Sequence, residues 1–259
     1  MWRRRSEPEQ ESRPASEAEH EQALAQAGAR AASDLAAYEE LRAGFTAAVS
    51  HELRTPLARL LALLESAQLP GADVHGLVAQ ARAEVETMRE LVDEVLFLSE
   101  LESGRAVVSL GSTRALPVLE PALAGLRERA ERAGVTLRLD CPETLELPLR
   151  PRMLEVVATN LAENAIRYAG EGATFTLSAQ RLDGDRVLSG ADDGVGVAED
   201  ELPRLFERFY RSDRARASRG TGLGLAIVKH IVGAADGSVE AARAPAGGLV
   251  VRCFFPPGR

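Results

Sequence analysis

One histidine in this chain stands where it could act as a nucleophile. In the stretch Phe45-Thr46-Ala47-Ala48-Val49-Ser50-His51-Glu52-Leu53-Arg54-Thr55-Pro56-Leu57, a helical register that buries Val49 turns His51 to solvent. Neutral imidazole is a good nucleophile near pH 7, because its unperturbed pKa is about 6.5. Glu52 follows directly and can hydrogen-bond the other ring nitrogen, fixing the tautomer and accepting a proton. Thr55 lies one turn further on the same face, where its hydroxyl can hold a water. Pro56 cannot donate to the Glu52 carbonyl and predicts a kink, at a cost of about 3 kcal/mol inside a helix. His20, His75 and His230 have no such surroundings and read as ordinary residues.

Two further clusters stand out, and the first could bind phosphate. Gly220-Thr221-Gly222-Leu223-Gly224-Leu225 leads into an apolar helical pattern, and backbone amides at a glycine-rich helix start bind phosphates. No Gly-Lys-Ser/Thr follows, so it is not a P-loop; the G-x-G-x-G spacing is not the dinucleotide fingerprint either. Asn160 and Asn164 are four residues apart, which puts both amides on one face of an otherwise apolar helix.

The elements that position these residues follow from periodicity. Residues 6–22 are rich in Glu, Ser, Pro and Gln and read as disordered. A heptad-like seam then runs through Ala31, Leu35, Tyr38, Phe45 and Val49. Leu69-Pro70-Gly71-Ala72-Asp73 breaks the helix and caps a second one, expected over about 73–103 with a stripe from Val74 to Leu98. Two such helices cannot bury their stripes alone, so a dimeric four-helix bundle is expected. Beyond it, Val107 to Leu110 reads as a short strand and Leu116 to Ala133 as one helix, closed by Gly134. Val135 to Leu139 alternates as a strand, and Pro151 opens a helix reaching about Tyr168. Thr174 to Leu182 and Arg186 to Ala191 form a hairpin around Asp183-Gly184-Asp185. A helix after Thr221 and strands Ser238 to Arg243 and Leu249 to Phe255 complete a two-layer α/β sandwich.

The box His51-Glu52-Leu53-Arg54-Thr55-Pro56-Leu57 resembles the phosphoacceptor box of the sensor histidine kinases of bacterial two-component systems. Asn160 to Tyr168, Asp192-Asp193-Gly194-Val195-Gly196, Leu205 to Arg211 and Gly220 to Leu225 are similar to that family's nucleotide boxes, in the family's order. The resemblance implies ATP-dependent phosphorylation of His51 and transfer of the phosphoryl group to an aspartate of a response regulator. It implies that Asn164 ligates Mg²⁺, that Asn160 and Arg167 lie near the phosphates, and that Tyr168 packs near the nucleotide. Asp192 would read the exocyclic amine of adenine, with Gly194 and Gly196 letting the backbone approach the ring. Arg211 would reach the γ-phosphate from a lid, and Gly220, Thr221, Gly222, Leu223 and Gly224 would cradle the phosphates. Phe206 and Phe209 resemble the anchor of that lid, although their spacing equally suits core residues. Arg167 stands where the family often has Lys, and Asp193 where it usually has Asn.

The domains expected on this basis are a disordered or helical region at 1–40, a dimerisation and phosphotransfer domain at 41–104 and a catalytic ATP-binding domain at 105–259. Related gyrase, mismatch-repair and chaperone ATPases hydrolyse ATP with a Glu four residues before the metal-binding Asn. Here that position is Asn160, and Glu163 is read as facing away, which favours a kinase over an ATPase. Glu52 and Thr55 also match the family's phosphatase signature, so dephosphorylation of the regulator is an added reading; an inactive scaffold is a third.

Composition sets outer limits. The net charge of -8 argues against a nucleic-acid binder. Cys141 and Cys253 are far apart and lack metal-ligand spacing. No apolar run reaches the roughly 18 residues that span a bilayer, and no signal peptide is evident. A cytoplasmic kinase is expected, either acting in solution or associated with a membrane through a sensor region outside this chain.

Overall fold

The computed structural model describes residues 45–103, 111–212 and 220–257. The expected strand at 107–110, the stretch 6–22, the seam before Phe45 and all of the lid after Ser212 lie outside them. The chain divides into two units at the His51–Glu52 junction, and the described part of the first is the helical stretch 45–51.

Helix α1 covers 45–66, continues through Pro56, and is followed by turns over 67–71. Helix α2 spans Val74–Glu102, and the Asp73 side chain caps it by accepting the Gly76 amide at 3.0 Å. The stripe of α2 splits into two faces. Leu91, Leu98 and Leu101 are buried, at 3%, 1% and 4% exposure, whereas Val78, Val85 and Val92, seven residues apart, remain 47%, 52% and 42% exposed. Leu57, Leu61 and Leu64 on α1 are likewise open to solvent.

The remaining elements build one lobe. A five-stranded sheet has the order β2-β4-β5-β7-β6, from Thr136–Asp140 (β2), Thr174–Leu182 (β4), Asp185–Asp192 (β5), Ser238–Arg243 (β6) and Leu249–Phe255 (β7). Among the described residues only the β2–β4 pair is parallel. The β4–β5 turn has Asp183 and Gly184 at φ 51° and 96°, the left-handed pair that a two-residue hairpin needs. Helix α5 (Pro151–Tyr168) carries Pro at its start, where its missing N–H costs nothing, and buries Leu154, Val157, Ala158, Leu161 and Ala165. Helix α6 (Gly224–Gly233) buries Ile227, Val228, Ile231 and Val232. Leu177, Leu188, Cys253 and Phe255 contribute fully buried side chains from the sheet. Burial pushes the Cys253 thiol up to about 12, so it stays a neutral core residue.

One expectation needs correction, and one pair of strands was not expected. The single helix over 116–133 is two: α3 (Leu116–Ala124) and α4 (Arg127–Ala133), and Gly134 ends the second in a left-handed conformation at φ 67°. Pro121 withholds an amide inside α3, and the chain tightens through Leu126 N–H to Leu123 C=O at 3.0 Å before α4 restarts. The sandwich also carries a small antiparallel pair, β1 (Thr113–Arg114) with β3 (Glu146–Leu147), too short for any sequence period to reveal.

Candidate active site

The face of α5 that turns away from the core carries Asn160, Glu163, Asn164, Arg167 and Tyr168, and all five line a cleft of about 290 Å³. Asp192 at the end of β5, Gly196 in the loop after it, Tyr210 and Arg211, and Thr221, Gly222 and Gly224 from the glycine box line it as well. That volume sits at the small end of ligand sites, which run from about 300 to 1,000 Å³.

One end of the cleft is built to hold a buried carboxylate. Asp192 is 8% exposed, and its Oδ1 accepts the Gly194 amide at 3.0 Å and the Leu249 amide at 3.3 Å. Burial raises its pKa above the ordinary carboxylate range, and the two amides oppose the shift. Gly248 makes this possible: a Cβ there would lie 2.2 Å from the Asp192 carbonyl oxygen. Apolar side chains of Val197, Leu205, Leu225 and Leu249 complete the wall. Asp193 turns aside and accepts the Thr174 amide at 2.6 Å, a role an Asn would also fill.

The other end is polar and cationic. Asn160 donates to the Val156 carbonyl at 2.8 Å. Asn164 makes no side-chain hydrogen bond among the described residues, which leaves its amide oxygen available in the cleft. Glu163 pairs with Arg129 and, at 3.4 Å, with Arg167. It lines the cleft, which corrects the expectation that it points away. Thr221 Oγ1 accepts the Leu223 amide at 3.2 Å, folding the glycine box onto itself. Gly222 (φ 72°) packs against the backbone of Phe209 (φ 61°), whose amide it accepts at 3.0 Å. A Cβ at Gly222 would sit 2.8 Å from the Phe209 carbonyl carbon, so the phenylalanine and glycine boxes are tied by backbone. Phe206 and Phe209 are half-buried, short of core burial.

Gly194, Gly220 and Leu223 contribute differently. Gly194 supplies its amide to Asp192, and Gly220 abuts the Tyr168 hydroxyl and the Arg167 guanidinium. Leu223 is 0% exposed, so its side chain is core and only its backbone can serve a ligand. His51 and Thr55 are exposed on α1 and Glu52 is half-buried; none of the three lines the cleft.

The family model described as "His Kinase A (phospho-acceptor) domain" matches residues 41–104, and "Histidine kinase-, DNA gyrase B-, and HSP90-like ATPase" matches 150–259. The chain belongs to the two-component histidine kinases. It is 39% identical over 238 residues to the signal transduction histidine-protein kinase BaeS of Escherichia coli (strain K12), covering 90% of this chain and 50% of that one. Among solved structures, the Acinetobacter baumannii histidine kinase AdeS matches with a TM-score of 0.66 at 26% identity, over 81% of this chain and 98% of that one. Full-length ShkA in complex with AMPPNP matches with a TM-score of 0.58 at 28% identity, over 82% and 45%. The chain thus spans about half the length of the curated kinases it matches.

Five residues that line the cleft, Glu94, Ala169, Val197, Ser212 and Leu249, lie outside the sequence motifs. Gly248 and Leu249 come from the start of β7, where a Gly-Gly pair before a strand was the available signal. Glu94 comes from α2, seven residues before the buried Leu101 and three after the buried Leu91, a carboxylate in an apolar register.

Proposed function

We propose that this chain is a protein-histidine kinase core that phosphorylates His51 from ATP and passes the phosphoryl group to an aspartate of a response-regulator receiver domain. The observation that carries it is the convergence of Asn160, Asn164, Arg167, Asp192 and the glycine box on one cleft, in a chain that also presents His51 in open solvent.

The cleft suits ATP end by end. Asp192 accepts from the adenine 6-amino group, whereas guanine would set a carbonyl against a carboxylate. Arg167 and the amides of the glycine box face the phosphates. The cleft also suits Mg²⁺: it offers an oxygen donor on Asn164, and no cluster of three or more His, Cys, Asp or Glu occurs among the described residues. A shell completed by phosphates and water matches the preference of that ion. When bound, Mg²⁺ supplies neutralisation of the phosphate charge. In the reaction, the unprotonated ring nitrogen of His51 forms a bond to the γ-phosphorus. The bond to the β,γ-bridging oxygen breaks, ADP leaves, and Glu52 takes the proton from the other ring nitrogen. Positioning and charge stabilisation are the main catalytic tasks. An aspartate carboxylate of the partner then forms a bond to the phosphorus, the N–P bond breaks, and His51 leaves as neutral imidazole on regaining its proton from Glu52.

No Glu stands four residues before Asn164, and Glu163 is held by two arginines, so transfer to a protein nucleophile is favoured over hydrolysis. Exposed Thr55, one turn beyond His51, supports an added phosphatase activity towards the regulator. The apolar residues left open on α1 and α2 support a homodimer formed through a hairpin domain at 41–104, ahead of a catalytic domain at 105–259. No described helix is long and apolar enough to cross a membrane; use of ATP favours a cytoplasmic site of action. The test is phosphorylation by γ-labelled ATP and Mg²⁺. Acid-labile, base-stable label on the wild type and none on His51→Ala supports the reading; label persisting on His51→Ala contradicts it.

A further inference from the structure

The last two turns of α2 are seated on the catalytic lobe. Leu98 is 1% exposed and borders a groove with Ala226, Lys229 and His230 of α6. Phe97 lies under the Arg152 guanidinium at 5.9 Å, and Glu102 pairs with Arg208. Between the buried Leu91 and Leu98, the same face of the helix carries Glu94. Its carboxylate enters the cleft and accepts a hydrogen bond from the Thr221 hydroxyl of the glycine box. It also lies within the field of Arg167, which the proposed reading assigns to the phosphates.

We infer that Glu94 is a phosphate surrogate: its carboxylate takes the Thr221 hydroxyl of the glycine box within the field of Arg167, so triphosphate binding and the seating of α2 on the lobe exclude each other. This rests on the reading of the cleft as an ATP site. The physical reason is charge. A carboxylate and a phosphate both present anionic oxygens to the same hydroxyl and guanidinium, and the two anions repel if both are present. Glu163 already adds a second negative charge beside Arg167, so the site has little capacity for a third anion. Burial raises the Glu94 pKa, consistent with a group held away from water by the seated helix. The seated helix belongs to the hairpin that carries His51. Expelling Glu94 would therefore couple nucleotide loading to release of the lobe from α2.

The test compares AMPPNP binding to the wild type and to Glu94→Gln, which keeps shape but removes the charge. The variant should bind about tenfold more tightly, as expected if about nine-tenths of wild-type molecules must open first. A second measurement follows the seating directly. In a Cys141→Ser background, Glu102→Cys with Arg208→Cys should be bridged by a short bis-maleimide, and saturating AMPPNP should slow bridging several-fold. Equal affinity of the wild type and Glu94→Gln, or bridging indifferent to AMPPNP, would overturn the inference while leaving the ATP reading intact. Failure of AMPPNP to bind either protein would instead remove the reading on which it rests.

Discussion

The helical hairpin and the catalytic lobe solve burial in different ways. The lobe closes its own core: Leu154, Leu177, Leu188, Ile231 and Phe255 are each fully buried within one chain. The hairpin does not, since Val78, Val85 and Val92 repeat every seven residues on an open face. The lobe is expected to be folded irrespective of oligomeric state, whereas the hairpin needs a second copy. The difference suits the proposed division of labour. A nucleotide site needs fixed geometry, and a phosphoacceptor helix must present its histidine to several partners in turn.

The comparison can be broken most sharply in the lobe. Leu154→Ala removes a 0% exposed side chain of α5 and should lower lobe stability by about 2–5 kcal/mol, independently of protein concentration, in urea unfolding. A much smaller loss would show that the lobe core is looser than the burial implies. Val85→Asp on the open face should leave the lobe's melting temperature unchanged. By sedimentation it should weaken dimerisation about a hundredfold or more, because two-fold symmetry repeats the lost contact. An unchanged dimer would place the interface elsewhere.

Asp192→Asn separates function from stability inside the lobe. The folded pKa of Asp192 is raised, so at neutral pH the fold carries a charge that its burial disfavours. That cost is present above the folded pKa, and fades as the pH falls through it towards the unfolded value. The amide variant keeps an oxygen for the Gly194 and Leu249 amides. Its melting temperature at pH 7 should be no lower than that of the wild type, while ATP affinity falls about tenfold or more. The smallest effect is expected for Thr55→Ala, which should keep autophosphorylation within about twofold and lose mainly regulator dephosphorylation. Loss of both activities would instead make Thr55 part of the kinase step.

Local chemistry made much of this fold legible. Pro151 marks the start of α5, Asp183-Gly184 the β4–β5 turn, and Asp73 the cap of α2, each because one residue type meets one backbone requirement. The cleft was readable where its residues are close in sequence, as with Asn160 and Asn164 one turn apart. It was unreadable where tertiary packing decides. Glu163 adjoins Asn164, and its place in the cleft wall, with an ion pair to Arg129 34 residues away, is a matter of tertiary packing. Leu249 meets Asp192 across 57 residues, and Glu94 meets Thr221 across 127. The break between α3 and α4 was hidden because Ala, Leu and Arg continue the helical pattern through Gly125.

The most direct test of the account is incubation with γ-labelled ATP and Mg²⁺ of the wild type, His51→Ala and Asn164→Ala. The account predicts acid-labile, base-stable label on the wild type alone, chased onto a receiver domain when one is added. Nucleotide binding without any label on the wild type would contradict it and leave a nucleotide-binding scaffold.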